Sequence, residues 1–242
     1  MNDSQFLASL ERDGIAFGVA AQDAGLAAFV APCPGWTVAD LVWHLAEVHY
    51  FWGSITALRA TSWDQVPTAV RVPDDELFTF YDTQFANLVQ ALRTTDGSTP
   101  VWTWTNQQDV AFIVRRMAHE TSVHLWDAQA ASGSPVAIDA ELASDGIDEF
   151  LEHMLDRSTE TVAAIGGSVH LHCTDVAGEW TIRSLETGEL GVTREHAKGD
   201  CALRGNASDL LLALWRRLPL EAVDVVGDSE VAARFVAVSR LA

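Results

Sequence analysis

Residues 115–127 read RRMAHETSVHLWD, and taking this stretch as a helix sets the fold around it. A helical period puts Glu120 and His124 one turn apart on one face, so a carboxylate and an imidazole project together. That pair is half of a metal site. A second imidazole from another helix would make three N/O donors and leave a coordination position open for chemistry. His44, in Leu41-Val42-Trp43-His44-Leu45, is a candidate source. Such a site needs helices packed side by side, the arrangement that a helical bundle provides.

Outward from that stretch, the pattern predicts four long helices. The first covers about residues 4–30, with Phe6, Leu7, Leu10, Phe17, Leu26 and Phe29 mostly on one stripe. Ala31-Pro32-Cys33-Pro34-Gly35-Trp36 breaks it, and Thr37 with Asp40 three residues on reads as the cap of a second helix over 38–59. A loop over 60–73 leads to a third helix over 74–94, opened by Asp74, Asp75 and Glu76, where the helix dipole favours carboxylates. A connection carrying Trp102 and Trp104 then precedes the fourth helix, 108–131.

After Ser132-Gly133-Ser134-Pro135 the texture changes. One more helix is expected over 139–165, followed by short alternating runs at 168–174, 179–185, 190–193 and 200–204. A helix over 208–217, a strand over 223–226 and a last helix over 229–241 complete the pattern. The expected fold is α+β: a four-helix bundle over 1–135, then a small α+β domain over 136–242.

With 242 residues, 48% of them hydrophobic, the chain can build real cores. Cys33, Cys173 and Cys201 are odd in number and lack CxxC spacing, so they read as small buried hydrophobes in a reducing compartment. The first residues, MNDSQFLASLERD, lack the basic start and apolar run of a signal peptide, and no uninterrupted apolar run is long enough to span a bilayer. The expectation is a soluble cytoplasmic protein. A net charge of −19 argues against nucleic acid and anionic membranes as partners, because both repel an acidic chain.

Each candidate has an ordinary reading beside it. A Glu and a His four apart on a helix commonly form a solvated surface pair. His49 falls half a turn off the face of His44, and His119 about a quarter turn from Glu120, so neither reads as a ligand. Asp127, three residues after His124, is placed to hold an imidazole N–H or simply to end the helix in a polar group. Arg116, one turn before Glu120, reads as its ion-pair partner. His170 and His172 share one side of a strand, but no third group accompanies them, and they read as a half-exposed strand face.

Three blocks carry a resemblance. Pro34-Gly35-Trp36-Thr37-Val38 leads to His44-Leu45; Arg116, His119-Glu120, His124 and Trp126-Asp127-Ala128 follow; Gly205-Asn206-Ala207-Ser208-Asp209-Leu210-Leu211 precedes Leu214-Trp215-Arg216-Arg217. Together they resemble the mycothiol-dependent maleylpyruvate isomerase family of the DinB-like superfamily, over nearly the whole chain. The resemblance implies a DinB-like bundle in which His44, Glu120 and His124 ligate a divalent metal, zinc first, and it is what selects His44 over His49. It also implies mycothiol as a thiol cofactor and an electrophilic small-molecule substrate. An Arg in the Leu-Trp-x-Arg segment is implicated and best matches Arg217. Family members often carry Gly where this chain has Arg216, so both arginines stay open at this point.

The implied chemistry is that a metal stabilises a bound thiolate at neutral pH. The thiolate adds to the cis double bond of a maleyl-type substrate; rotation about the resulting single bond and elimination return the trans product and the thiol. Arg217 would pair a substrate carboxylate or the developing enolate. With a different electrophile, the same thiolate makes a stable conjugate, and the enzyme is an S-transferase. Two further readings stand beside these: a metal-dependent hydrolase without a thiol, and a non-enzymatic binding protein on the same scaffold.

Overall fold

The computed structural model describes residues 1–238, and the chain divides between Val136 and Ala137 into two compact units. The first unit is a bundle of four long helices: α1 (Asp3–Ala24), α2 (Val38–Leu58), α3 (Leu77–Thr94) and α4 (Val110–Ala131). α1 lies mainly along α4, and α2 along α3. Phe17, Leu41, Leu45, Leu77 and Tyr81 fill one part of the core between them. Small residues let the helices approach. Gly53 faces the Leu88 backbone so closely that an added Cβ would sit 3.2 Å from its Cα, and the Tyr81 hydroxyl donates to the Gly14 carbonyl at 2.8 Å.

The helix ends follow local chemistry. Thr37 and Asp40 form the expected capping box on α2, and Asp40 also accepts from Arg71 at 2.7 Å. The Thr37 backbone N–H and the Arg71 guanidinium hold the Asp40 carboxyl down to about 2. Asp109 caps α4 by accepting from the Phe112 N–H at 3.0 Å. The first helix is shorter than the expected 4–30, because Gly25 takes φ 79 and ends it after Ala24. The apolar residues beyond belong to a loop whose backbone is tied down by Val30 N–H to the Trp36 carbonyl, 3.0 Å, and Val38 N–H to Ala28, 2.8 Å. That loop delivers Trp36 to the start of α2.

In the second unit the expected helix over 139–165 is interrupted. α5 (Ala140–Glu149) runs into a π-helical turn (Phe150–Met154), Leu155 is extended, and Ser158 caps a separate α6 (Thr159–Ile165). An apolar stripe continuing through the turn hides this break from a periodicity count. The remaining elements are β1 (Val169–Cys173), β2 (Glu179–Ser184), β3 (Leu190–Thr193), β4 (Cys201–Gly205), α7 (Ala207–Leu214), β5 (Asp224–Gly227) and α8 (Ser229–Ala237). The end of the expected last helix, residues 239–241, lies outside the described residues.

The strands form one sheet in the order β3-β2-β1-β4-β5, with β1 and β4 parallel and the other neighbours antiparallel. Alternation puts Val169, Leu171 and Cys173 on one face with Trp180, Ile182, Cys201 and Leu203, all buried. α7 and α8 pack on β1 and β4. Burial raises the thiols of Cys173 and Cys201 to about 12 and about 11, so they behave as core hydrophobes. Cys33 differs from that expectation and is only partly buried.

The opposite face of the sheet corrects a second expectation. His170 is buried, not half-exposed. Two further groups join His170 and His172: Glu179, which pairs with His172 across the β1–β2 ladder, and His196, from the segment between β3 and β4.

Candidate metal centre

α4 presents Glu120 and His124 at i and i+4, and α2 brings His44 against them. His44 Nε2 lies 3.1 Å from Glu120 Oε1, and His124 Nε2 lies 3.3 Å from the same oxygen. The His44 and His124 rings meet edge to face at 5.0 Å. One ligand-capable atom from each of the three residues lies within 4.8 Å of the other two.

The groups around this trio settle which atoms face inward. Arg116 donates to Glu120 Oε2, the expected ion pair, and so leaves Oε1 to the two imidazoles. Asp127 accepts from His124 Nδ1 at 2.9 Å, so that ring turns its Nε2 toward Glu120. A carboxylate on the far nitrogen of an imidazole is a frequent partner of metal-ligating histidines, because it fixes tautomer and ring orientation. Cys33 places its Sγ 3.8 Å from the same Asp127 oxygen. The Trp36 ring packs at 5.0 Å on His44.

The electrostatics of the trio are strongly coupled. Burial would raise the Glu120 carboxyl, but the Arg116 charge and the hydrogen bonds from His124 and His44 outweigh it and hold the group well below the usual carboxylate range. Burial would likewise lower His124, but its bonds to Asp127 and Glu120 carry it up to about 9. Glu120 and His124 are nearly enclosed, whereas the His44 side chain is 33% exposed, so the trio opens toward solvent on the α2 side.

His49 and His119 stay out of this trio, as their helical positions suggested. His49 is fully buried against Tyr81 and Phe85, with Nε2 3.0 Å from Thr121 Oγ1. Burial lowers it to about 3, which keeps the ring neutral. His119 packs edge-on against Phe6.

Arg217 belongs to the second unit, in the turn that ends α7. Its backbone N–H bonds the Leu212 carbonyl at 2.7 Å, and its guanidinium donates to Trp215 O at 3.1 Å while lying 5.7 Å from the Trp215 ring. Arg216 takes φ 57, the left-handed region that favours glycine. That is the position at which the resemblance expects Gly.

The three donors fit a divalent metal: two imidazole nitrogens and one carboxylate oxygen converge, one imidazole is held from behind by a carboxylate, and no fourth protein donor belongs to the cluster among the described residues. Of the supporting residues, Asp127 and Arg116 were legible from helical spacing. The contribution of Cys33 was not, because a thiol in a loop carries no pattern that points to a carboxylate 94 positions away.

Comparison with known proteins gives two family matches. The mycothiol maleylpyruvate isomerase N-terminal domain matches residues 7–129, and the MDMPI C-terminal domain matches residues 141–234. No curated protein matches the chain significantly in sequence. Among solved structures, the mycothiol-dependent maleylpyruvate isomerase is similar at 12% identity and a mutant of it at 13%; each covers 93% of both chains with a TM-score of 0.62. At that identity the likeness is one of fold.

Proposed function

The chain belongs to the mycothiol maleylpyruvate isomerase family, and from that premise we propose that it is a metal- and thiol-dependent enzyme. His44, Glu120 and His124 hold a divalent metal, zinc first, and mycothiol serves as the thiol in isomerising a maleylpyruvate-like substrate. With an electrophile that cannot eliminate the thiol, the same site makes a conjugate. The observation that carries this reading is the convergence of His44 Nε2 and His124 Nε2 on one oxygen of Glu120.

The metal, when bound, supplies the positive charge that keeps a thiol ionised at neutral pH. The chain's own residues do the rest. Asp127 keeps the proton on His124 Nδ1 and so presents the lone pair of Nε2. Arg116 holds Glu120 by its second oxygen, which limits that carboxylate to one inward donor. Trp36 restrains the exposed ligand, His44, by packing on its ring. The resemblance assigns to Arg217 the pairing of a substrate carboxylate, a role that a planar guanidinium suits through bidentate hydrogen bonds.

The test is an assay for conversion of maleylpyruvate to its trans isomer, run with and without mycothiol on metal-loaded protein. Activity that needs both the thiol and an intact His124 supports the proposal. Ester or amide hydrolysis indifferent to thiol would replace it with a hydrolase.

A further inference from the structure

The histidine cluster on the sheet shares no residue with the bundle trio. We propose that the outer face of the C-terminal sheet carries a second transition-metal site, with His170, His172, Glu179 and His196 as ligands and zinc as the first candidate ion.

Four observations place the donors. His170 and His172 are two apart on β1, so both imidazoles leave the same face of the sheet. Glu179 stands opposite His172 in the antiparallel β1–β2 register and projects from that face too. His196 comes from the segment between β3 and β4, and its ring lies 5.0 Å from His170 and 6.4 Å from His172. One donor atom from each of the four residues lies within 4.8 Å of all the others.

The segment that brings His196 is itself anchored. Thr181 Oγ1 donates to the Glu195 carbonyl at 3.0 Å, Thr193 Oγ1 donates to the Glu195 carboxylate at 2.9 Å, and Arg183 pairs with that carboxylate at 3.1 Å. Glu195 is thereby fixed on the sheet edge, and its neighbour His196 is carried over the face.

The hydrogen bonds within the cluster leave one buried ring nitrogen without a partner. Glu179 Oε1 serves two imidazoles at once, accepting from His172 Nδ1 and from His196 Nδ1 at 3.0 Å. His170 is only 6% exposed, yet its Nε2 has no hydrogen-bond partner. A buried ring nitrogen left without a partner is costly unless something accepts its lone pair. A metal ion would take that lone pair and also draw the crowded Glu179 oxygen and the other two rings to one centre. Arg204, which pairs with His172 from β4, has its charge partly balanced by Asp224, 3.9 Å away.

Three imidazoles and one carboxylate complete a four-coordinate shell of the type zinc accepts, with no protein position left open, so the site is structural and not catalytic. Its consequence is to staple the segment between β3 and β4 onto the sheet. It does not depend on the proposed bundle chemistry, since none of its ligands is shared.

The experiment uses the full chain carrying His44→Ala and His124→Ala, stripped with chelator, so that only the second site can bind. Zinc titration by calorimetry and cobalt titration by visible absorption should each show one ion per chain at micromolar affinity or tighter, and zinc should raise the melting temperature. Adding His196→Ala, at a side chain that is 74% exposed, should weaken zinc by more than the roughly 10–100-fold that losing a ligand's outer partner costs. Adding Glu179→Gln should do the same. No micromolar binding in the double variant overturns the proposal, as does binding that survives both His196→Ala and Glu179→Gln unchanged.

Discussion

His124 shows how much one side chain depends on those behind it. Its Nε2 faces Glu120 only because Asp127, fully buried, takes Nδ1 at 2.9 Å. Asp127→Asn keeps the shape but permits the opposite tautomer, and metal affinity measured by competition with a chelating dye should fall by about 10–100-fold. The helix register made this legible, since Glu120, His124 and Asp127 are spaced so as to meet on one side. The link between His196 and Glu179 was not legible, because strand register and a loop path decide it, and neither is written in local periodicity.

His49 carries a prediction of another kind. Burial lowers its folded pKa to about 3 from an ordinary value of 6.5, so the unfolded chain binds the extra proton between those values. Its neutral ring favours the fold above about pH 6.5, and that contribution is lost as pH falls toward 3. Urea unfolding from pH 7 to pH 4 should show a steeper loss of stability than in His49→Gln, by at most about 1.4 kcal/mol per pH unit. Equal slopes for the two proteins would remove His49 as the source.

At the scale of elements, α2 matters because it carries His44 close to its start. The Thr37–Asp40 capping box fixes where that helix begins, and it was readable from the sequence because Thr37 follows a Pro-Gly break. Thr37→Ala should cost about 1 kcal/mol in chemical denaturation. The end of α7 carries the opposite prediction: Arg216 sits at φ 57, so Arg216→Gly should stabilise the chain by roughly 1 kcal/mol. If Arg217 is the functional Arg, that variant leaves the KM for a carboxylate substrate unchanged, whereas Arg217→Ala raises it.

Element ends were the least legible part of the fold. The first helix stops at Gly25, and the expected helix over 139–165 is cut by a π-helical turn and an extended Leu155, although apolar residues continue through both places. Hydrophobic spacing reports which residues face a core. It does not report whether the backbone between them is unbroken.

Across the whole molecule, five of the eight histidines fall into two clusters, one on the bundle helices and one on the sheet face. The order of the elements, four long helices and then a mixed sheet with helices, follows from the change in texture after Pro135. No described helix is long and apolar enough to cross a membrane. What the composition could not supply was the second cluster, because β1, β2 and the segment after β3 assemble it only once the sheet has formed.

We propose a catalytic metal held between α2 and α4. Its most direct test is elemental analysis of the His196→Ala chain purified without chelator, in which only the bundle site remains at full strength. One divalent ion per chain is expected, lost in His196→Ala chains that also carry His44→Ala or His124→Ala. A metal-free His196→Ala chain, or an ion retained after both of those substitutions, would contradict it.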